Sequence, residues 1–327
     1  MSKAKKALIA YMTALSIFTV YVLMDTFVIT KVYGEATSDA SSTVLTEEEE
    51  DALEAAGGKQ NAGTESGAEA ADNTGTESKT ETVSSSDTYK DENISISLGE
   101  YRENDTTIYV ADVQVSSPEY LKTALAQGVY GRNVKEDTSE MAENNNAVLA
   151  INGDYYGARE AGYVIKNGTL YRNTSAGRDD LVIYKVGSWK IVNEAEVSAE
   201  ELLEDGAVQT MSFGPALVQS GNITVGENEE VKQSMSSNPR TAIGIIDDCH
   251  YVFVVSDGRT DESAGLSLYQ LAEVMKDLGC ETAYNLDGGG SSTMYFNGQV
   301  VNNPTGGRAG HGEGSERSVS DIVYIGY

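Results

Sequence analysis

The sequence predicts an α+β domain: a mixed β-sheet core of short strands and hairpins with a few covering helices. Three observations carry this. Apolar and polar residues alternate with period two in several short runs. Two Asn-Gly pairs, Asn167-Gly168 and Asn297-Gly298, each separate two such runs, as type I′ hairpin turns do. One segment carries a full set of helix start and stop signals.

The N-terminus comes first. Lys3, Lys5 and Lys6 precede Ala7–Met24, a nearly unbroken apolar run, with Asp25 and then Phe27-Val28-Ile29 behind it. About 18–22 residues rising 1.5 Å each cross a bilayer core. The lysines favour a cytoplasmic N-terminus. A cleaved signal peptide is the competing reading, disfavoured by the length of the run and the lack of an A-x-A site. Residues 1–34 are therefore expected to be an uncleaved, single-pass anchor in the cell membrane, with the C-terminal domain extracellular. Residues 35–88 hold fourteen Asp or Glu against Lys59 and Lys79, with almost no aromatics. Such a stretch cannot bury enough apolar surface to fold and reads as a disordered acidic linker. It would hold the folded part, residues 89–327, away from the membrane.

Within the folded part, Ile94, Ile96 and Thr106–Val115 alternate as half-buried strands do. Ser117-Pro118 opens an expected helix through Leu125, and Asn133–Asn144 reads as a polar helix or loop. Ala147–Ile151 is continuously apolar, as in a strand buried on both faces. Leu181–Val192 reads as a hairpin around Gly187. Thr241–Ile246 and Tyr251–Val255 read as a strand pair. The well-marked helix is capped by Ser267, with Gln270 at the capping-box position and Gly279 at its end. Leu268, Leu271, Ala272, Met275 and Leu278 share its apolar face.

The net charge of −28 and pI near 4.3 argue against a nucleic-acid partner, since phosphate binding needs clustered Lys and Arg. Cys249 and Cys280 can pair in an exported domain or stand as two thiols. With His250 they do not have the spacing of a zinc site.

The chemistry concentrates in Asn285-Leu286-Asp287-Gly288-Gly289-Gly290-Ser291-Ser292. Three glycines remove every Cβ and let backbone approach a ligand closely. A plain Gly-Ser turn would need neither the Asn nor the Asp. No Lys follows, so this is not a phosphate-binding Walker loop. Polar residues also gather at the ends of other apolar runs: Asn152-Gly153-Asp154-Tyr155-Tyr156, Asn238-Pro239-Arg240 and Ser256-Asp257-Gly258-Arg259. Strand ends share one sheet edge, so these segments are expected to converge. Each has a plainer reading: Asp257-Gly258 as a turn, Arg240 as a surface ion pair, Asn152–Asp154 as a cap, the tyrosines as packing, Phe213-Gly214-Pro215 as a bend. His250 and His311 read as surface residues.

Taken together, these motifs resemble the phosphodiester glycosidase family from about Asn144 to the end. The matching elements are Ala150–Tyr156, Ser212–Pro215, Asn238–Gly244, Val255–Arg259, Asn285–Ser292, Asn303-Pro304 and Glu316–Val319. The resemblance implies hydrolysis of a sugar-1-phosphodiester in an envelope or extracellular glycan. Asp287 or Asp257 would act as base or nucleophile, and Arg240 would clamp the phosphate with help from glycine N–H groups. Asn152, Asp154, Phe213, Asn285, Gly288, Gly289, Gly290 and Ser291 would line the substrate. No cofactor is expected; the acidic loops would admit a divalent cation such as calcium, without an EF-hand spacing. The rival readings are a non-catalytic glycan-binding surface module associated with exopolysaccharide, which needs no poised carboxylate, and a surface interaction protein acting through its acidic linker.

Overall fold

Two antiparallel sheets stack face to face, and each carries a helix on its outer side. The structure is a computed structural model that describes residues 3–35, 81–228, 237–306 and 314–327. Most of the expected linker and His311 lie outside those residues. The larger sheet runs, edge to edge, Asn222–Ile223, Ala216–Gln219, Thr282–Asn285, Arg240–Asp247, His250–Ser256, Thr106–Val115, Ile94–Glu103 and Glu81–Lys90. The smaller runs Gln299–Val300, Met294–Phe296, Ala147–Asn152, Asp321–Gly326 and Leu121–Leu125. Strands within both pair antiparallel, so the sheets are not mixed as the sequence reading had it. Short hairpin connections suffice for such sheets, whereas parallel pairs need long crossovers.

Four helices are described: α1 (Lys3–Phe27), α2 (Thr138–Asn144), α3 (Ala199–Glu204) and α4 (Leu268–Asp277). The main core fills the space between the sheets, with Ile243, Phe253 and Val255 meeting Leu149, Ile151 and Val323. Ala147–Asn152 is buried along its whole length because α2 covers the face that the larger sheet does not. α4 buries Leu268, Leu271, Ala272 and Met275 on the outer face of the larger sheet. Its capping box is formed as the sequence predicts, between Ser267 and Gln270.

Both Asn-Gly pairs have positive φ at both residues, as type I′ turns require. The expected helix from Ser117 is a single 3-10 turn, Pro118–Tyr120, followed by an edge strand, Leu121–Leu125. Leu121, Thr123 and Leu125 alternate into the core, and that period of two overrides the start signal at Ser117-Pro118. Both cysteines are free thiols: Cys249 lies in a hairpin turn at positive φ and Cys280 is buried behind α4.

A third sheet, Trp189–Asn193, Asp179–Tyr184 and Ala207–Met211, packs under α3. It carries a costly group. Asp180 is 1% exposed and neither carboxylate oxygen has a hydrogen-bond partner. Burial, then the nearby Glu194 and Asp154, push its pKa up to about 10. The side chain is therefore a neutral acid at pH 7.

The chain on either side of residues 36–80 belongs to the same folded unit. Lys31–Glu35 pairs antiparallel with Val129–Arg132, and Asn133 Nδ2 donates to the carbonyls of Thr26 and Ile29 at 3.2 Å each. The segment behind α1 thus docks on the domain directly. α1 itself exposes all its described side chains from Tyr11 to Met24. Among the described residues no helix is long and apolar enough to cross a membrane.

Two expectations follow. A Cβ at Gly131 would collide with the Lys31 carbonyl and the Val134 side chain. Gly131→Ala should therefore strip hydrogen-exchange protection from residues 31–35 while the amides of Ala147–Asn152 stay protected; protection kept at both would show the ladder tolerates the methyl group. For Asp180, the folded-state pKa lies above the ordinary value of 3.8. Its contribution to stability is full below that value and is lost as pH rises toward 10. Asp180→Asn should then gain on the parent as pH rises, by up to about 1.4 kcal/mol per pH unit. Urea unfolding at pH 5, 7 and 9 measures this, and a constant difference across the three would contradict it.

Candidate active site

At one end of the sheets, four strand termini meet. Arg240 pairs with Ser256, Ala242 with Asn285, and Ile322 with Asn152, so the ends share one edge. Asn152 is the joint between them. It is fully buried; its Nδ2 donates to the Asp287 carbonyl at 2.6 Å, and its Oδ1 accepts from Thr241 Oγ1 at 2.8 Å and from the Thr293 N–H at 3.3 Å. Its amide is thus committed to holding the glycine turn against both sheets.

Asp287 lies where the strand Thr282–Asn285 gives way to that turn. Oδ2 accepts from Ser291 Oγ at 2.7 Å and from Arg317 Nη2 at 3.0 Å. Burial raises its pKa, opposed by Arg317, Ser291 and the Gly288 N–H. Arg317 also donates to the Gly288 carbonyl at 3.1 Å and, through Nε, to Ser291 Oγ at 2.8 Å. It is the cation paired with Asp287, and in the sequence it stands only inside a matching motif. The signal was available: Arg317 opens the last core strand's approach, and buried carboxylates need a charged partner.

The glycines are needed for a reason other than a ligand cradle. A Cβ on Gly288 would lie 2.8 Å from the Pro239 carbonyl, and one on Gly290 2.8 Å from the Gly306 Cα. Gly289 sits at φ +63° and its N–H donates to Pro239 at 2.8 Å. Ser291 and Ser292 close a 3-10 turn onto Gly288 and Gly289. The turn therefore packs backbone on backbone, and the N–H groups of Gly289, Ser291 and Ser292 are already paired.

Asp257 accepts from Asn303 N–H at 2.9 Å and Asn302 Nδ2 at 3.2 Å on Oδ1, and from the Tyr109 hydroxyl at 3.4 Å on Oδ2. Burial raises its pKa, against those bonds. Its place is under the loop after Gln299–Val300. Arg240 is 2% exposed and its Nε donates to the Leu266 carbonyl at 2.9 Å, behind the glycine turn. Arg259 instead reaches the turn: it donates to Asn238 Oδ1 at 2.7 Å and lies against Gly289.

On the other side, Asp154 Oδ2 accepts from the Ser212 N–H at 2.6 Å. Arg159 donates to the Ser212 carbonyl at 3.0 Å and stacks over Phe213 at 5.0 Å, with Tyr155 at 5.8 Å. Burial lowers its pKa, while the carboxylates of Asp154 and Asp287 oppose that shift. Arg159 was not among the expected site residues. Asn285 is 1% exposed; Nδ2 donates to the Gly214 carbonyl at 2.7 Å and Oδ1 has no hydrogen-bond partner. Below lies a buried ion pair, Lys166 Nζ to Asp321 Oδ2 at 2.7 Å. Burial pushes Asp321 up to about 6 against the pull of Lys166. A Cβ on Gly153 would strike that carboxylate. His250 lies apart, 3.1 Å from Asp112. Among the described residues no group of three or more His, Cys, Asp and Glu is set to hold a metal ion.

The sequence profile described as phosphodiester glycosidase matches residues 145–326. An uncharacterised SPbeta prophage-derived protein, YomE, of Bacillus subtilis is 32% identical over 61% of this chain and 31% of its own. N-acetylglucosamine-1-phosphodiester alpha-N-acetylglucosaminidase of Bos taurus is 29% identical over 51% of this chain and 34% of its own. The mouse enzyme of that name is 32% identical over 33% of this chain and 24% of its own. The match thus spans about a third or less of these relatives' length. Among solved structures, the zebrafish catalytic domain of that name, auto-inhibited by pro-peptide, superposes with a TM-score of 0.56 at 24% identity, over 71% of this chain and 82% of that one. A hypothetical protein from Synechocystis gives 0.54 at 14% identity, over 74% and 64%. These two likenesses bear on the fold; with the profile covering more than half of the sequence, the chain belongs to the phosphodiester glycosidase family.

Proposed function

We propose that the protein hydrolyses a sugar-1-phosphodiester in an envelope or extracellular glycan, as an enzyme anchored in the membrane by α1. The observation that carries the reaction is Asp287: a buried carboxylate of raised pKa, 3.0 Å from a guanidinium whose side chain is 44% exposed. In this reading the water oxygen bonds to the anomeric carbon and its proton passes to Asp287. The bond from that carbon to the phosphate oxygen breaks, and its electron pair leaves with a phosphomonoester. Phosphate is a good leaving group, so little acid catalysis is needed.

The roles divide by what each group is already bonded to. Asp257 is bonded to Asn302, Asn303 and Tyr109, and in this reading it positions the loop at Asn302. Arg317 takes the phosphate clamp in place of Arg240, whose Nε is committed to Leu266. Asn285 Oδ1, buried and unpartnered, accepts a sugar hydroxyl. Phe213 and Tyr155 offer faces for the sugar ring, with Arg159 stacked on them. The anchor reading is supported by the apolar run Ala7–Met24 and by the exposure of α1 from Tyr11 to Met24, although the described part of the helix by itself falls short of a crossing span. A helix apolar on all sides and not covered by protein suits lipid.

Asp287→Asn keeps shape but removes basicity, and should cut turnover of a sugar-1-phosphodiester by roughly 10²–10⁴-fold with folding intact. The base must be deprotonated, so parent activity should fall as pH drops through the Asp287 pKa, above the ordinary 3.8. Removing Arg317 removes the charge that opposes this shift; Arg317→Gln should move that acid limb to higher pH. Steady-state kinetics from pH 4 to 8 decide it, and full turnover in Asp287→Asn would remove Asp287 from the chemistry.

Anchoring has its own test. The full-length chain should stay in the membrane pellet through an alkaline carbonate wash, and a chain lacking residues 1–27 should not. Release of both would leave α1 without a membrane role.

A further inference from the structure

A cleft of about 250 Å³ lies between the end of α1 and the carboxylate site, its walls including Tyr33, Tyr130, Tyr156, Arg132, Arg159 and Arg172. We propose that this cleft takes the side of the phosphate turned away from Arg317, together with the first part of the aglycone, of a membrane-lipid-linked substrate, so that the substrate class is a glycosyl phosphodiester of a lipid. The proposal rests on the hydrolase and anchor readings given above.

Position is the first argument. Arg159 belongs both to the cleft and to the site: it stacks on Phe213 and stands in the field of Asp154 and Asp287. At the other end, Tyr33 sits six residues past the last residue of α1 and packs 5.9 Å from Tyr130. Six extended residues reach about 20 Å at most, and the headgroup layer is roughly 5–8 Å deep. Asn133 and the Lys31–Glu35 ladder hold this short span to the domain. The order is therefore membrane, cleft, carboxylates.

Chemistry is the second. In a chain of net charge −28, three guanidinium groups gather here against Glu160, which pairs with Arg132 at 2.6 Å. Arg172 donates to the carbonyls of Gly162, Tyr156 and Arg159, and its buried Nη2 has no hydrogen-bond partner. Planar guanidinium groups suit phosphate oxygens. Tyr130 stacks on Tyr156 at 5.5 Å, giving a flat apolar wall. Val28, Ile29 and Val32 are exposed and carry an apolar strip from α1 to Tyr33. A phosphate followed by hydrocarbon matches both surfaces, whereas a soluble glycan would leave the apolar strip unused.

The test places the full-length chain in lipid nanodiscs with two esters of one sugar-1-phosphate: a long-chain prenyl ester in the disc and a methyl ester in solution. The prenyl ester should be hydrolysed with the higher kcat/KM, by roughly tenfold or more, about what burying two further methylene groups contributes. Tyr33→Ser, on the aglycone side of the cleft, should lower kcat/KM for the prenyl ester several-fold more than for the methyl ester. Amides of residues 129–133 and 156–160 should gain hydrogen-exchange protection only in discs holding the prenyl ester. Equal use of the two esters, or an equal loss for both in Tyr33→Ser, would overturn the inference and leave the hydrolase reading standing. If neither ester is cleaved the hydrolase reading itself fails, and absent protection at the cleft then removes this inference too.

Discussion

The arrangement of the site depends on one buried carboxamide. Asn152 ends a strand of the smaller sheet, and its side chain reaches the hydroxyl of Thr241 in the larger sheet, the backbone of Thr293 and the carbonyl of Asp287. A buried amide must satisfy both ends, and here each partner belongs to a different segment. The stacking distance of the sheets, the entry of the glycine turn and the height of Asp287 are thereby fixed together. The glycines follow from the same constraint. Once the turn is drawn in this far, Pro239 and Gly306 stand too close for any Cβ.

Around this joint the domain buries more charge than its core can easily hold. Asp154, Asp180, Glu194, Asp287 and Asp321 are all at most 8% exposed, and Lys166, Arg159, Arg178 and Arg317 are distributed among them. Asp287 keeps a cation within reach, Asp321 shares Lys166, and Asp180 gives up its charge. Neighbouring carboxylates in different protonation states are how a site separates acid from base. The low dielectric strengthens each of these interactions and equally penalises the unpaired one.

Much of this was legible in the sequence, where local chemistry dictates the outcome. Asn167-Gly168, Asn297-Gly298 and Ser267–Gly279 adopt the turns and caps that their residue types demand. The placement of Asn152, Arg240, Ser256 and Asn285 at one sheet edge followed from their positions at strand ends. What the sequence left open depends on distant contacts. Arg240 and Arg317 are both arginines beside core strands, and only packing tells that one faces Leu266 and the other Asp287. Asp321 and Lys166 lie 155 residues apart and carry no local sign that they meet. The strand at Leu121–Leu125 was hidden because its start signal resembles that of a helix.

Lys31–Glu35 pairs with Val129–Arg132 and Glu81–Lys90 pairs within the larger sheet, so the chain is held on the domain at both ends of the acidic stretch. The acidic stretch then sets no distance between the domain and whatever holds α1. Cutting it would leave two pieces held by a five-residue ladder and the Asn133 contacts, and shedding of the domain would be governed by the off-rate of that strand. The length and charge of the loop are accordingly free to change without altering where the domain sits, and a protease acting on it would create a noncovalent heterodimer before it created a released fragment.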